Sequence, residues 1–350
     1  MNKQVVVFGP FIGEFGWELL FWQGWVRRLC QNEFSDFHKI AISVEGRQAF
    51  YDSVDEFIPY FRNDLPEVYS ARSYIADGWE FGYPGKGISQ KYYWKHSLKA
   101  ISSGHIPRRI SNEEKWNGPS VKPFAEKILS NFESKLPRDT TYVIPWKLNK
   151  IADMTVGFKQ PSDRILFHHH SNYFKPKFED QIFTRLKASD DEEITSYFHN
   201  SESKLSVCVF PRKRNYRRAD KNWSEASYRQ LIDKILNKYN AHIYLCGDPD
   251  GAFFSNQQID GCTNLIDLPA PKRLNAQLKA LENSKFAVGA MSGATLFALA
   301  AGCPTVIFGF QEQMFRYYEE NILNTKMNYV AEMNPSVQDL MRVVDNFISV

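Results

Sequence analysis

Residues Val288 to Gly309 read Val-Gly-Ala-Met-Ser-Gly-Ala-Thr-Leu-Phe-Ala-Leu-Ala-Ala-Gly-Cys-Pro-Thr-Val-Ile-Phe-Gly, and this stretch decides the fold. An apolar strand end runs into a Ser-Gly turn that opens a short Ala-rich helix. A Gly-Cys-Pro stop then leads into a second strand, which makes the whole a βαβ unit. Ser292 is a suitable N-cap, and Gly293 lets another molecule approach the backbone closely. The free N–H groups and positive dipole end of that helix favour an anion, and a phosphate is the natural guest.

Outward from this unit the same alternation continues. Leu205–Phe210 reads as a strand, and Trp223–Leu236 as a helix by the spacing of Leu231, Ile232, Ile235 and Leu236. His242–Cys246 is a strand closed by Gly247-Asp248-Pro249-Asp250, and a helix at Leu274–Leu281 leads to a strand at Lys285–Val288. The second half is therefore expected to be one Rossmann-like domain. The polar run Asn200-Ser-Glu-Ser-Lys204 is the expected boundary, dividing the chain into domains 1–203 and 204–350.

The first half opens with a strand at Val5–Phe8, a loop through Gly9–Glu14 and a helix to about Cys30. A strand at Ile40–Val44 and a Glu45-Gly46 turn follow, then a further helical stretch. From about 70 to 120 the pattern is irregular, with many glycines and aromatics, and reads as an insertion or long active-site loop. Helical periodicity returns at Val121–Leu136, with strand-like runs at Thr141–Ile144 and Ile165–Phe167.

Composition narrows the class. The 350 residues suffice for two domains, and 43% hydrophobic with 24% charged residues is the balance of a soluble globular protein. No window approaches eighteen consecutive apolar residues, which argues against a membrane span. The start, Met-Asn-Lys-Gln before Val5–Phe8, reads as a strand and not a signal peptide, so a cytoplasmic location is expected. Cys30, Cys208, Cys246, Cys262 and Cys303 lack paired CxxC spacing and read as buried thiols. Aromatic residues reach 15%, which serves core packing or lines sugar and base sites. A net charge of +3 neither demands nor excludes a polyanionic partner, yet Arg212, Lys213, Arg214, Arg217, Arg218 and Lys221 fall within ten positions.

Three segments together resemble the nucleotide-sugar glycosyltransferases of the GT-B fold, most closely their heptosyltransferase-like (family 9-like) branch. The second domain opens with Val207–Phe210, then Pro211-Arg-Lys-Arg214, then Lys221-Asn222-Trp223-Ser224-Glu225, in place of that branch's Lys-x-Trp-Pro-Glu helix start. Met291-Ser292-Gly293 and Ala301-Gly302-Cys303-Pro304-Thr305 match its turn before a helix and its Ala-x-Gly-x-Pro-Thr. In the N-terminal loop the branch carries a Gly-Asp pair whose acid is the catalytic base, and here Gly13-Glu14 stands there, one methylene longer. The resemblance covers roughly the first 45 residues and Leu205–Phe310.

The resemblance implies an α/β protein of two Rossmann-like domains facing across a cleft, an inverting transferase that uses a nucleotide sugar and needs neither metal nor cofactor. Donor contacts are expected from Arg212, Arg214, Lys221, Gly247, Asp248, Ser292, Gly293, Ala294 and Thr295. Arginine forks and a lysine point charge can neutralise the departing diphosphate. Glu14 or Glu18 would take the proton of the attacking hydroxyl; a helix dipole is the simpler reason for Glu18. Gly13, Phe15, Trp17, His168 and His170 are candidates for the acceptor side. Asp248-Pro249-Asp250 formally matches a metal-binding DxD but is also an ordinary turn, and alternation in a strand separates the members of His168-His169-His170, so no metal is expected.

The acceptor is left open between a glycan or lipid-linked saccharide and a hydroxymethylpyrimidine in DNA, since the basic and aromatic stretch Tyr83–Arg109 could grip a backbone and stack a base. A nucleotide-sugar epimerase and a non-catalytic nucleotide-binding protein are the remaining alternatives. The oligomeric state is also open.

Overall fold

The valine-rich run Val5–Phe8 is wholly buried as strand β1, as expected for a strand covered on both faces of a parallel sheet. The computed structural model to which it belongs describes residues 3–12, 15–65, 122–143, 178–198, 205–214, 221–309 and 323–348. Two units divide the chain, Met1–Ile182 and Phe183–Val350. Gly13, Glu14, the 70–120 insertion, Ile165–Phe167, His168–His170 and the linker Asn200–Lys204 lie outside the described residues.

In the first unit β1 is joined by β2 (His38–Val44), β3 (Glu56–Tyr60) and β4 (Thr141–Val143), all parallel in the order β3-β2-β1-β4. Helix α1 (Phe15–Trp17) runs through a π-helical turn at Glu18–Trp22 into α2 (Gln23–Gln31), and α3 spans Lys122–Glu133. The helical stretch expected after Glu45-Gly46 is a single 3-10 turn at Gln48–Phe50, followed by β3. A short apolar run carries no decisive period, and pairing from Ile40 with Glu56 to Val44 with Tyr60 makes it a strand. Its position at the end of the strand order accommodates Pro59, which has no N–H for a further neighbour. The buried Arg27 of α2 bonds Asp52, Gln23 and the carbonyl of Ile182, binding the end of this unit to its first helices.

The second unit holds six parallel strands: β5 (Leu205–Phe210), β6 (Ala241–Leu245), β7 (Cys262–Asn264), β8 (Phe286–Ala290), β9 (Thr305–Phe308) and β10 (Met327–Tyr329). Their order is β10-β9-β8-β5-β6-β7. Counted within the unit, this is the 3-2-1-4-5-6 order of the doubly wound dinucleotide-binding sheet. Helices α4 (Glu192–Ser196), α5 (Glu225–Tyr239), α6 (Ala270–Asn283), α7 (Gly293–Ala300) and α8 (Val337–Ile348) accompany it. Leu231, Ile232 and Ile235 of α5 and Leu340, Val344 and Phe347 of α8 join the strand valines in one core. Strands β7 and β10 are three residues long and half exposed, too short for a sequence pattern to reveal.

The contact boundary between Ile182 and Phe183 precedes the polar linker read from sequence. Residues after Phe183 bond within the second unit: Leu186 N–H donates to Ala300 O, Arg185 Nε to Ala301 O, and Ser189 N–H to Asn275 Oδ1. Such backbone and side-chain bonds leave no apolar periodicity to read. The five cysteines are free thiols, four of them buried. Among the described residues no helix is long and apolar enough to cross a membrane.

Candidate functional site

Strand order reverses between β5 and β8, and a doubly wound sheet binds its ligand beyond the carboxyl ends of the strands at such a reversal. Phe210 pairs with Gly289 at that point. The chain leaves β5 as Pro211-Arg212-Lys213-Arg214 and leaves β8 as Met291-Ser292-Gly293, so the basic segment and the Ser-Gly turn emerge side by side.

A third loop joins them. Phe253 N–H donates to Pro211 O at 2.6 Å and Lys213 N–H to Gly251 O at 2.8 Å, which ties the turn after β6 to the segment after β5. Gly247 in that turn has φ +144°, a backbone conformation strained for any side chain, and a Cβ there would stand 3.0 Å from Ala252 Cβ. Gln277 donates to Gly247 O at 2.7 Å. Asp248 accepts from Arg273 at 3.0 Å and from the Asp250 N–H at 3.3 Å. A turn bond and an ion pair thus account for both oxygens of Asp248, and among the described residues no cluster of three or more His, Cys, Asp or Glu side chains is placed to hold a metal ion.

Trp223 anchors the basic segment's far end. Its ring packs edge-on to Tyr228 at 5.1 Å and against Phe308 at 5.0 Å, and its N–H donates to Pro335 O at 2.9 Å. Ser224 then caps α5 by accepting from Ser227 N–H. Tyr228 lies under the reversal point, and its hydroxyl accepts from Arg212 N–H at 3.2 Å. Burial pushes this phenol above its usual range, against the opposing effect of hydrogen bonds to the Arg212 and Ala290 backbones.

Arg212 and Lys221 are both buried, at 8% exposure each. Asn222, unmarked by the sequence reading, holds the segment together: its Oδ1 accepts from Arg212 Nη1 at 2.5 Å and from Arg214 N–H at 3.0 Å, and its Nδ2 donates to Arg214 O at 2.6 Å. A lone Asn before a tryptophan carries no signal in one dimension. The Lys221 carbonyl lies 3.8 Å from where a Cβ on Gly309 would sit, so the segment also reaches the end of β9.

Across β8, the first turn of α7 has Ser292, Gly293 and Ala294 half-buried and Thr295 buried. Ser292 N–H donates to Thr295 Oγ1 at 3.2 Å, which supplies the reciprocal half of a capping box. The structure therefore brings together Arg212, Arg214, Lys221, Gly247, Asp248 and Ser292 to Thr295 from three strand-end loops of one sheet.

In the first unit the analogous reversal is between β1 and β4. The segment after β1 is held by Gly9 N–H to Val143 O at 2.8 Å, Phe11 N–H to Ile42 O at 2.9 Å and Tyr60 hydroxyl to Phe11 O at 2.7 Å. It leads to Gly13 and Glu14. Phe15 packs on Phe50 at 5.4 Å with the Arg47 guanidinium 5.5 Å from its ring centre, and the side chain of Trp17 lies outside the described residues. Glu18 is fully buried and accepts from Ser43, Arg47 and Tyr51. Burial and the adjacent Glu18 push the Tyr51 phenol well up, so it stays a donor. This cage accounts for Glu18 as an interior tie between α2's leading turn and β2, with its oxygens turned away from solvent.

No family model matches the chain, and no curated protein sequence matches it. Among solved structures, ADP-heptose lps heptosyltransferase II of E. coli is similar over 99% of this chain and 98% of its own, at 14% identity and a TM-score of 0.50. The glycosyl transferase family 9 protein of Veillonella parvula is similar over 100% and 98%, at 11% identity and a TM-score of 0.51. Identities this low speak to architecture alone. With its two parallel α/β sheets, the second in doubly wound order, the chain has the GT-B fold in the form adopted by these heptosyltransferase and family 9 structures.

Proposed function

We propose that this chain is a glycosyltransferase that moves a sugar from a nucleotide-activated donor to a hydroxyl acceptor. The observation that carries the reading is that the basic segment Pro211–Arg214 and the Ser292-Gly293 turn opening α7 leave the adjacent strands β5 and β8 at the reversal of strand order. That arrangement supports diphosphate binding by fixed cations and backbone N–H groups, which supply negative-charge stabilisation without a metal. The similar E. coli protein is named for ADP-heptose, and the class carried over is a nucleoside diphosphate sugar.

The leaving diphosphate is stabilised as its bond to the anomeric carbon breaks. The acceptor oxygen attacks from the opposite face and inverts that carbon, while Glu14 takes its proton. Glu14 is preferred to Glu18 because Glu18 is buried with three donors already on it. The acceptor we propose is a glycan or lipid-linked saccharide.

The test is a thermal-shift screen of the purified protein against nucleoside diphosphates and nucleotide sugars, with a metal chelator and with Lys221→Ala. Stabilisation by one nucleotide family that persists under chelation and is lost in the variant is the expected result. A melt unmoved by every nucleotide would remove the basis for a donor site.

A further inference from the structure

We propose that Asn222 is a positioning residue for the diphosphate site, a charge-neutral clasp that orients Arg212 and the backbone of Arg214 without cancelling their positive charge. The inference rests on the reading of the β5/β8 reversal as a diphosphate site. Three hydrogen bonds from one amide link position 222 to both 212 and 214, closing the basic segment on itself. Trp223, anchored in the core through Pro335, Tyr228 and Phe308, fixes where that amide stands. Tyr228 fixes the Arg212 backbone from beneath.

The chemistry of an amide is what the position requires. Its oxygen accepts from the Arg212 guanidinium and the Arg214 N–H, and its nitrogen donates to the Arg214 carbonyl, so both functions of the group are used. A carboxylate of the same shape would hold the guanidinium more tightly, as arginine pairs with carboxylates. It would also add a fixed negative charge beside the Arg212 guanidinium, and such a charge repels an incoming diphosphate.

The experiment is titration calorimetry of ADP, GDP, UDP and inorganic pyrophosphate on the wild type, Asn222→Asp and Asn222→Ala, each at several salt concentrations and with the melting temperature recorded. The clasp predicts that N222D binds at least about tenfold more weakly, with a shallower dependence of affinity on salt, since one charge of the site is neutralised. N222A should also bind more weakly, but with the wild-type salt dependence, because only orientation is lost. Wild-type affinity and salt dependence in both variants, whatever their melting temperatures, would overturn the clasp while leaving the diphosphate site standing. If N222D melts before binding can be read, N222A decides alone: unchanged affinity rejects the inference. A wild-type protein that binds none of the four probes removes the site and the inference together.

Discussion

Gly289 of β8 and Phe210 of β5 meet with no room for a methyl group between them. A Cβ built on Gly289 would stand 2.9 Å from Phe210 Cβ and 3.1 Å from Thr295 Cγ2. The missing side chain is what lets the first turn of α7 come up against the end of β5. Gly289→Ala is therefore expected to lower stability by about 1–3 kcal/mol through overpacking. The usual gain from replacing a strand glycine, about 0.5–1 kcal/mol, is too small to offset this. Urea unfolding measures the difference, and a variant as stable as the wild type would mean that the contact is slacker than these distances.

Thr295 presents a second handle on the same turn. Its hydroxyl accepts from Ser292 N–H at 3.2 Å and donates to Ser292 O at 3.0 Å. Thr295→Val keeps the shape and removes both bonds, so a loss of about 1 kcal/mol is expected. Thr295→Ser, which keeps the hydroxyl, should retain more of the cap. Chemical denaturation of the pair checks this: a valine variant no less stable than the serine variant would show that the hydroxyl contributes nothing to the cap.

The Glu18 cage predicts a larger effect. Glu18→Gln leaves the buried Arg47 without its counter-charge, and loss of one partner from a buried pair costs about 3–5 kcal/mol. Replacing both, as Glu18→Gln with Arg47→Met, should recover much of that loss, because no unpaired charge remains. A double variant no more stable than E18Q alone would rule out the ion pair as the source. Tyr51→Phe should cost about 1.5–3 kcal/mol in the same unfolding measurement, the range of a hydrogen bond to a charged group.

Asp55 supplies the pH dependence. The backbone N–H of Lys39, with the Lys39 charge, holds its carboxyl below the usual range against a smaller effect of burial. In the unfolded chain this group titrates at about 3.9. Its folded value is lower, so its stabilising contribution is complete above that pH and is lost as pH falls through the folded value. Asp55→Asn should therefore flatten the acid limb of stability below about pH 4 and leave the slope at neutral pH alone. Melting curves from pH 2.5 to 7 measure this, and parallel acid limbs in variant and wild type would exclude the coupling.

Local pattern carried far into this chain. Val5–Phe8, Leu205–Phe210 and the βαβ unit β8-α7-β9 are legible because apolar runs, an N-capping serine and a Gly-Cys-Pro stop act within a few residues. Asn222 escaped notice because its meaning lies in meeting Arg212 and Arg214, and nothing in its neighbours' identities signals three bonds from one amide. Strand β3 escaped because its apolar run fits either period until it pairs with β2.

Glu18 divides the two kinds of knowledge most sharply. The amino-acid sequence by itself determined the α/β alternation, the position of the Ser292-Gly293 turn before α7 and the crowding of arginines near Lys221, since each depends on neighbours along the chain. Only the tertiary structure decided that Glu18 is enclosed by Ser43, Arg47 and Tyr51, and that β5 lies beside β8 so that the basic segment and the Ser292-Gly293 turn leave neighbouring strands. Strand order and burial arise from contacts between residues far apart in sequence, and those contacts exist only once the sheet has formed.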